Sequence, residues 1–168
     1  MQNNQQQAKS SPNPNIFNLS VIKPFWMQLD FWLACIAAFI FYFAFEYFSM
    51  AEVLPVKTVE FGYYFYIALF AYPILEEVVF RGLIQESLQK LIENYQLKTI
   101  LILRISTANL LCSLLFAASH LISQPWTWAA LIFFPSLLFG YFKDKYQSLK
   151  PAIFLHILYN TGFYILLS

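Results

Sequence analysis

Six polar side chains with chemical reach lie inside almost wholly apolar stretches of this chain: Glu76, Glu77 and Arg81, then His120, then His156 and Asn160. The first three belong to Ala71-Tyr72-Pro73-Ile74-Leu75-Glu76-Glu77-Val78-Val79-Phe80-Arg81-Gly82, which follows fifteen uncharged residues, Phe61 to Leu75. Charges in such surroundings are expensive to keep out of water, and an ionisable group in an apolar span is a functional-site hypothesis by default. The chain has two histidines, and both fall in apolar segments. A desolvated carboxylate can serve as base and acid near neutrality, and beside an imidazole it can hold and deprotonate a water. A second imidazole and an amide N–H can donate to a developing oxyanion. Those are the parts for hydrolysing an amide. A glutamate with two histidines is equally a ligand set for catalytic zinc with water in the open position. No His-Glu-x-x-His occurs, each ligand comes from a different segment, and spacing does not choose between metal and no metal.

Spacing assigns faces. Glu77 and Arg81 are four apart, so they share a helical face and can pair. Glu76 points about 100° away and is free for another partner. His156 and Asn160 also share a face, and Phe116 lies one turn before His120. The plainer reading makes Glu77–Arg81 a structural ion pair and the histidines hydrogen-bonding links between helices.

The elements that must position these groups are hydrophobic. The chain is 60% hydrophobic, 20% aromatic and 11% charged, against roughly 25% charged in a soluble domain. This composition predicts an all-α, polytopic transmembrane helical bundle with about five hydrophobic segments. The segments fall near 25–51, 61–94, 99–122, 126–142 and 151–168. Residues 1–24 are a polar tail expected to be disordered, and 25–168 form a single membrane-embedded domain. Residues 105–142 hold no Asp, Glu, Lys or Arg, which suits two spans and a tight turn. Pro73 breaks or kinks the second segment. A break at Tyr72-Pro73 is the preferred expectation, because it would bring Glu76 to the depth of His120. Arg104 is expected to snorkel from the third segment, and residues 143–150 to form a loop. Lys and Arg in the short loops place the amino terminus in the cytoplasm and the carboxyl terminus outside. Cys35 and Cys112 read as packing residues. Continuous apolar runs exclude a β-barrel, and a net charge of +1 without a basic stripe argues against nucleic acid.

Glu76-Glu77-x-x-x-Arg81, Phe116-x-x-x-His120 and His156-x-x-x-Asn160, in this order, resemble the CPBP (CAAX protease and bacteriocin-processing, or Abi) family of intramembrane proteases. Arg81-Gly82-Leu83-Ile84 and the run from Pro135 to Tyr141 extend the likeness, which covers roughly 60–168. The family includes the type II CAAX prenyl endopeptidase, a helical membrane bundle. The resemblance implies an intramembrane endopeptidase in which Glu76 and His120 activate water and His156 with Asn160 forms the oxyanion site. Glu77 and Arg81 support them. It implies a glutamate mechanism with no cofactor, zinc on Glu76, His120 and His156 being the alternative. It also implies a multi-pass protein of the bacterial plasma membrane whose partners are the lipid bilayer and a membrane-anchored protein or peptide. Short bacterial members resemble enzymes that process carboxy-terminal sorting tails or peptide precursors, or bacteriocin self-immunity proteins. A non-enzymatic immunity or peptide-binding protein is the second reading, and it would tolerate Glu76→Gln.

Overall fold

The computed structural model describes residues 23–47, 62–95 and 104–166. The expectations for the polar tail up to residue 22 and for a third segment starting at 99 lie outside these residues. A single 3-10 turn, Phe25–Met27, leads into helix α1, Leu29–Tyr47. Helix α2 covers 63–94, α3 is Thr107–His120, α4 is Trp126–Tyr146 and α5 is Lys150–Leu166. Every one of these elements is helical, and they follow the expected apolar segments in order. Among the described residues no helix is long and apolar enough to cross a membrane. Helix α3, with 14 residues, reaches about 21 Å at 1.5 Å per residue. Helix α2 carries carboxylates and cations along its second half.

Pro73 does not break α2. The helix runs on through two π-helical stretches, Ile67–Ala71 and Val78–Gln85, that alternate with α-helical ones. Pro73 has no N–H for the Leu69 carbonyl. The wider π turn just ahead of it carries the chain past that missing bond. The second π stretch has a different effect. In a regular α-helix, positions i and i+8 drift apart by about 80°. A turn with an extra residue takes up that drift, and Glu77, Arg81 and Gln85 all stay on the buried face.

Two further expectations need correction. Arg104 lies outside α3, exposed, in a left-handed turn with φ 65°. Residues 143–146 are helical, because α4 continues until Gln147 stops it with φ 49°. Helix α3 begins where the Ser106 Oγ accepts a hydrogen bond from Asn109 N at 3.0 Å, an N-cap. Helix α5 has Pro151 in its first turn, where a missing N–H does no harm.

The helices run alternately up and down. Asp30, at the start of α1, binds Lys145 and Tyr141 near the end of α4. Ser106, before α3, donates to Asp144 at the same end. The main core lies between α1, α4 and α5. Phe31, Ala34, Cys35, Ala38 and Tyr42 form a buried stripe on α1 against Phe139, Phe142, Ala152, Leu155 and Tyr159. The opposite stripe, Trp32, Leu33, Ile36, Phe39, Ile40 and Phe43, is equally apolar but half or more exposed. Close helix crossing is fixed at two glycines. A Cβ on Gly140 would fall 1.9 Å from Asn109 Oδ1, and one on Gly162 would fall 2.5 Å from the Tyr42 ring.

Candidate active site

The buried face of α2 is a polar ladder. Glu77, Arg81 and Gln85 are each fully buried. A buried guanidinium needs partners for its five N–H groups. Arg81 Nε donates to Glu77 Oε2 at 3.3 Å, and Nη1 to Gln85 Oε1 at 3.3 Å and Ser113 Oγ at 3.4 Å. Nη2 donates to the Ser136 carbonyl at 2.9 Å and Ser136 Oγ at 2.6 Å. One side chain thereby ties α2 to α3 and α4. Gln85 Nε2 continues the chain to Asp144 Oδ1 at 2.7 Å, and Ser106 Oγ donates to the other Asp144 oxygen at 2.8 Å.

Glu77 also holds the histidine of α5. His156 Nδ1 lies 2.9 Å from Glu77 Oε1, and Nε2 lies 3.5 Å from Glu76 Oε2. The two neighbouring carboxylates thus meet opposite edges of one imidazole. The expected split between them holds: Glu77 faces Arg81, while Glu76 is about one-third exposed and lines a cavity. His156 as a shared partner is a finding that spacing alone did not indicate. A carboxylate only accepts, so His156 Nδ1 carries a proton. His120 Nδ1 lies 2.9 Å from the Phe116 carbonyl, again an acceptor. A neutral His120 therefore keeps Nε2 bare, ready to take a proton.

Phe116 does more than pack beside His120, 4.8 Å between ring centres. Its ring also meets His156 at 5.7 Å and the Arg81 guanidinium at 5.6 Å. Phe139 stacks on His156 at 5.0 Å. These rings leave each imidazole little choice of orientation. Glu76, His120, His156 and Asn160 all line one cavity of about 620 Å³, between α1, α2, α4 and α5 and the end of α3. Both imidazoles are within electrostatic reach of the Glu76 carboxylate. Asn160 Nδ2 touches the Ala68 carbonyl only at 3.5 Å, a tie weak enough to give way to a ligand.

Residues 58–162 match a family described as type II CAAX prenyl endopeptidase Rce1-like. The chain belongs to this family. The matched region contains all six site residues, and no curated protein or solved structure matches the chain. Membership in the Rce1-like family points to endopeptidase activity of the CAAX-protease type.

The donor types at the Rce1-like site, one carboxylate and two imidazoles whose Nδ1 atoms are already held, would suit zinc. Their positions do not: among the described residues no three His, Cys, Asp or Glu side chains are gathered closely enough to hold a metal ion. Both cysteines are free and buried, and Cys112 Sγ contacts the Phe80 carbonyl at 3.0 Å. Sequence reasoning missed Gln85, Asn109, Ser113, Ser136 and Asp144. Only Gln85 carried a signal, its place one turn beyond Arg81.

Proposed function

We propose that this chain is a membrane-embedded endopeptidase that hydrolyses a peptide bond of a membrane-anchored protein or peptide without a metal. One observation carries the reading. Glu76, about one-third exposed, and His120, held through Nδ1 alone, line the same cavity as His156 and Asn160. Glu77 and Arg81 stand behind them, fully buried. In the proposed reaction a water lies between Glu76 and His120 Nε2. Glu76 takes its proton as the oxygen adds to the scissile carbonyl carbon. His156 acts as an imidazolium, with Nδ1–H on Glu77 and Nε2–H toward the cavity, so that Nε2 and Asn160 Nδ2 donate to the oxyanion. The proton on Glu76 then passes to the leaving nitrogen as the C–N bond breaks. The exposed apolar stripe of α1, a mean hydropathy of +0.56 and the rings lining the cavity support an apolar, lipid setting.

The test is cleavage of a reporter fused to an apolar anchor by the full chain in membranes or detergent. Glu76→Gln and His120→Ala should each lower kcat at least about 10²-fold, the usual contribution of a positioned acid or base. Activity should survive a chelator that strips zinc from a control metalloprotease. Full activity in Glu76→Gln would overturn the mechanism and favour the peptide-binding reading. Loss on chelation, restored by zinc, would make Glu76, His120 and His156 ligands.

A further inference from the structure

The cavity has a definite end of the molecule. Its lining includes Ser123 and Gln124, both exposed, in the turn between α3 and α4, His120 at the last position of α3, and Tyr164 near the end of α5. The cations gather at the other end. Lys23, Lys90, Arg104, Lys143, Lys145 and Lys150 are all the described Lys and Arg residues except the buried Arg81. All six flank the start of α1, the α2–α3 connection or the α4–α5 connection. The pairing of Asp30 with Lys145 and of Ser106 with Asp144 puts those three places side by side. At the cavity end the α3–α4 turn has no Lys or Arg, and the α1–α2 connection carries Lys57 alone, with Glu52 and Glu60.

In a membrane protein, Lys and Arg in short connections are retained on the cytoplasmic side, while Asp and Glu count for little. With Lys98, which also falls between α2 and α3 in the sequence, seven cations against one orient the bundle. We propose that the catalytic cavity opens on the extracytoplasmic face, so that the substrate is an exported, membrane-anchored chain whose scissile bond lies at the outer surface. This rests on the membrane protease reading above and adds the side from which the bond is reached. The cavity lining agrees with cleavage inside a chain rather than at its end. Among the described residues it offers the Glu76 carboxylate and no Lys or Arg to pair with a carboxy-terminal carboxylate.

The experiment uses the full chain in intact bacterial cells and a membrane-impermeant maleimide. Cys35 and Cys112 are free and buried, so the unaltered chain serves as the blank. Ser123→Cys marks the cavity end and Ser87→Cys the lysine end, both at exposed positions. The expected result is labelling of Ser123→Cys in intact cells at least ten-fold above Ser87→Cys, with both labelled after the cells are opened. Labelling of Ser87→Cys alone, of both equally or of neither in intact cells would overturn the orientation. Because no cleavage is read, this outcome is separate from that of the activity assay. A chain that labels as expected while Glu76→Gln retains full cleavage would keep the orientation and lose the mechanism.

Discussion

His156 Nδ1 is held by Glu77 at 2.9 Å, and this contact joins the chemistry of α5 to the ion pair of α2. The second glutamate of the pair thus does two jobs. It neutralises Arg81, and it holds the Nδ1 proton of His156 so that Nε2 is the nitrogen turned toward Glu76 and the cavity.

Glu77→Gln keeps the shape but withdraws the negative charge that favours His156 as an imidazolium, so a ring that keeps its Nδ1 proton has none left on Nε2 for the oxyanion. We expect kcat to fall roughly 10²- to 10⁴-fold, as when a carboxylate that orients a catalytic imidazole becomes an amide. Steady-state kinetics checks this, with circular dichroism to establish that the helices remain. An unchanged kcat would reduce Glu77 to a structural ion-pair partner.

Gly140→Ala should be destabilising by about 1–3 kcal/mol, because the new methyl falls on Asn109 Oδ1 and the helices must part. Denaturant unfolding in detergent measures it. Combining it with Asn109→Ala, which empties that space, should recover part of the loss.

Asp144 lies beyond the apolar run 126–142, and burial pushes its carboxyl above the ordinary aspartate range despite hydrogen bonds from Ser106 and Gln85 and the nearby Lys143. A raised carboxyl favours the folded state most when protonated. Its contribution is fully present below the unfolded-state value, about 3.9, and is lost as pH rises through the higher folded value. Asp144→Asn should therefore flatten the stability–pH curve from that value upward and leave the protein at least as stable at pH 7. Unfolding curves of both chains across that range decide it, and the difference between them cancels the other carboxylates. Identical slopes would contradict the burial argument.

The faces of the site were legible in the sequence because i, i+4 geometry is local. Glu77 pairs with Arg81, Glu76 turns elsewhere, and Phe116 meets His120 as the spacing implies. The depth problem was not legible. A break at Pro73 looked necessary to bring Glu76 level with His120, yet the two line one cavity while the helix runs unbroken through its π turns. Backbone widening of that kind leaves no mark in residue type. Asp144 and Lys143 resemble a solvated loop because their types usually are exposed. They are tolerated in α4 because Gln85 and Glu86 of α2 and Ser106, the N-cap of α3, meet them. Which distant residue will satisfy a buried polar atom is a tertiary fact.

The five contacts of Arg81 also set an order of events during synthesis. Glu77 and Gln85 are made with it, but Ser113 lies 32 residues later, Ser136 lies 55 later, and the histidine held by Glu77 lies 79 beyond that glutamate. A nascent chain that stalls before α4 contains the whole glutamate-arginine motif with two of the guanidinium's five contacts still missing. Such fragments expose a charge that belongs in the interior. The guanidinium is fully partnered only once Ser136 of α4 has been made, so synthesis through α4 becomes a condition for the bundle to close.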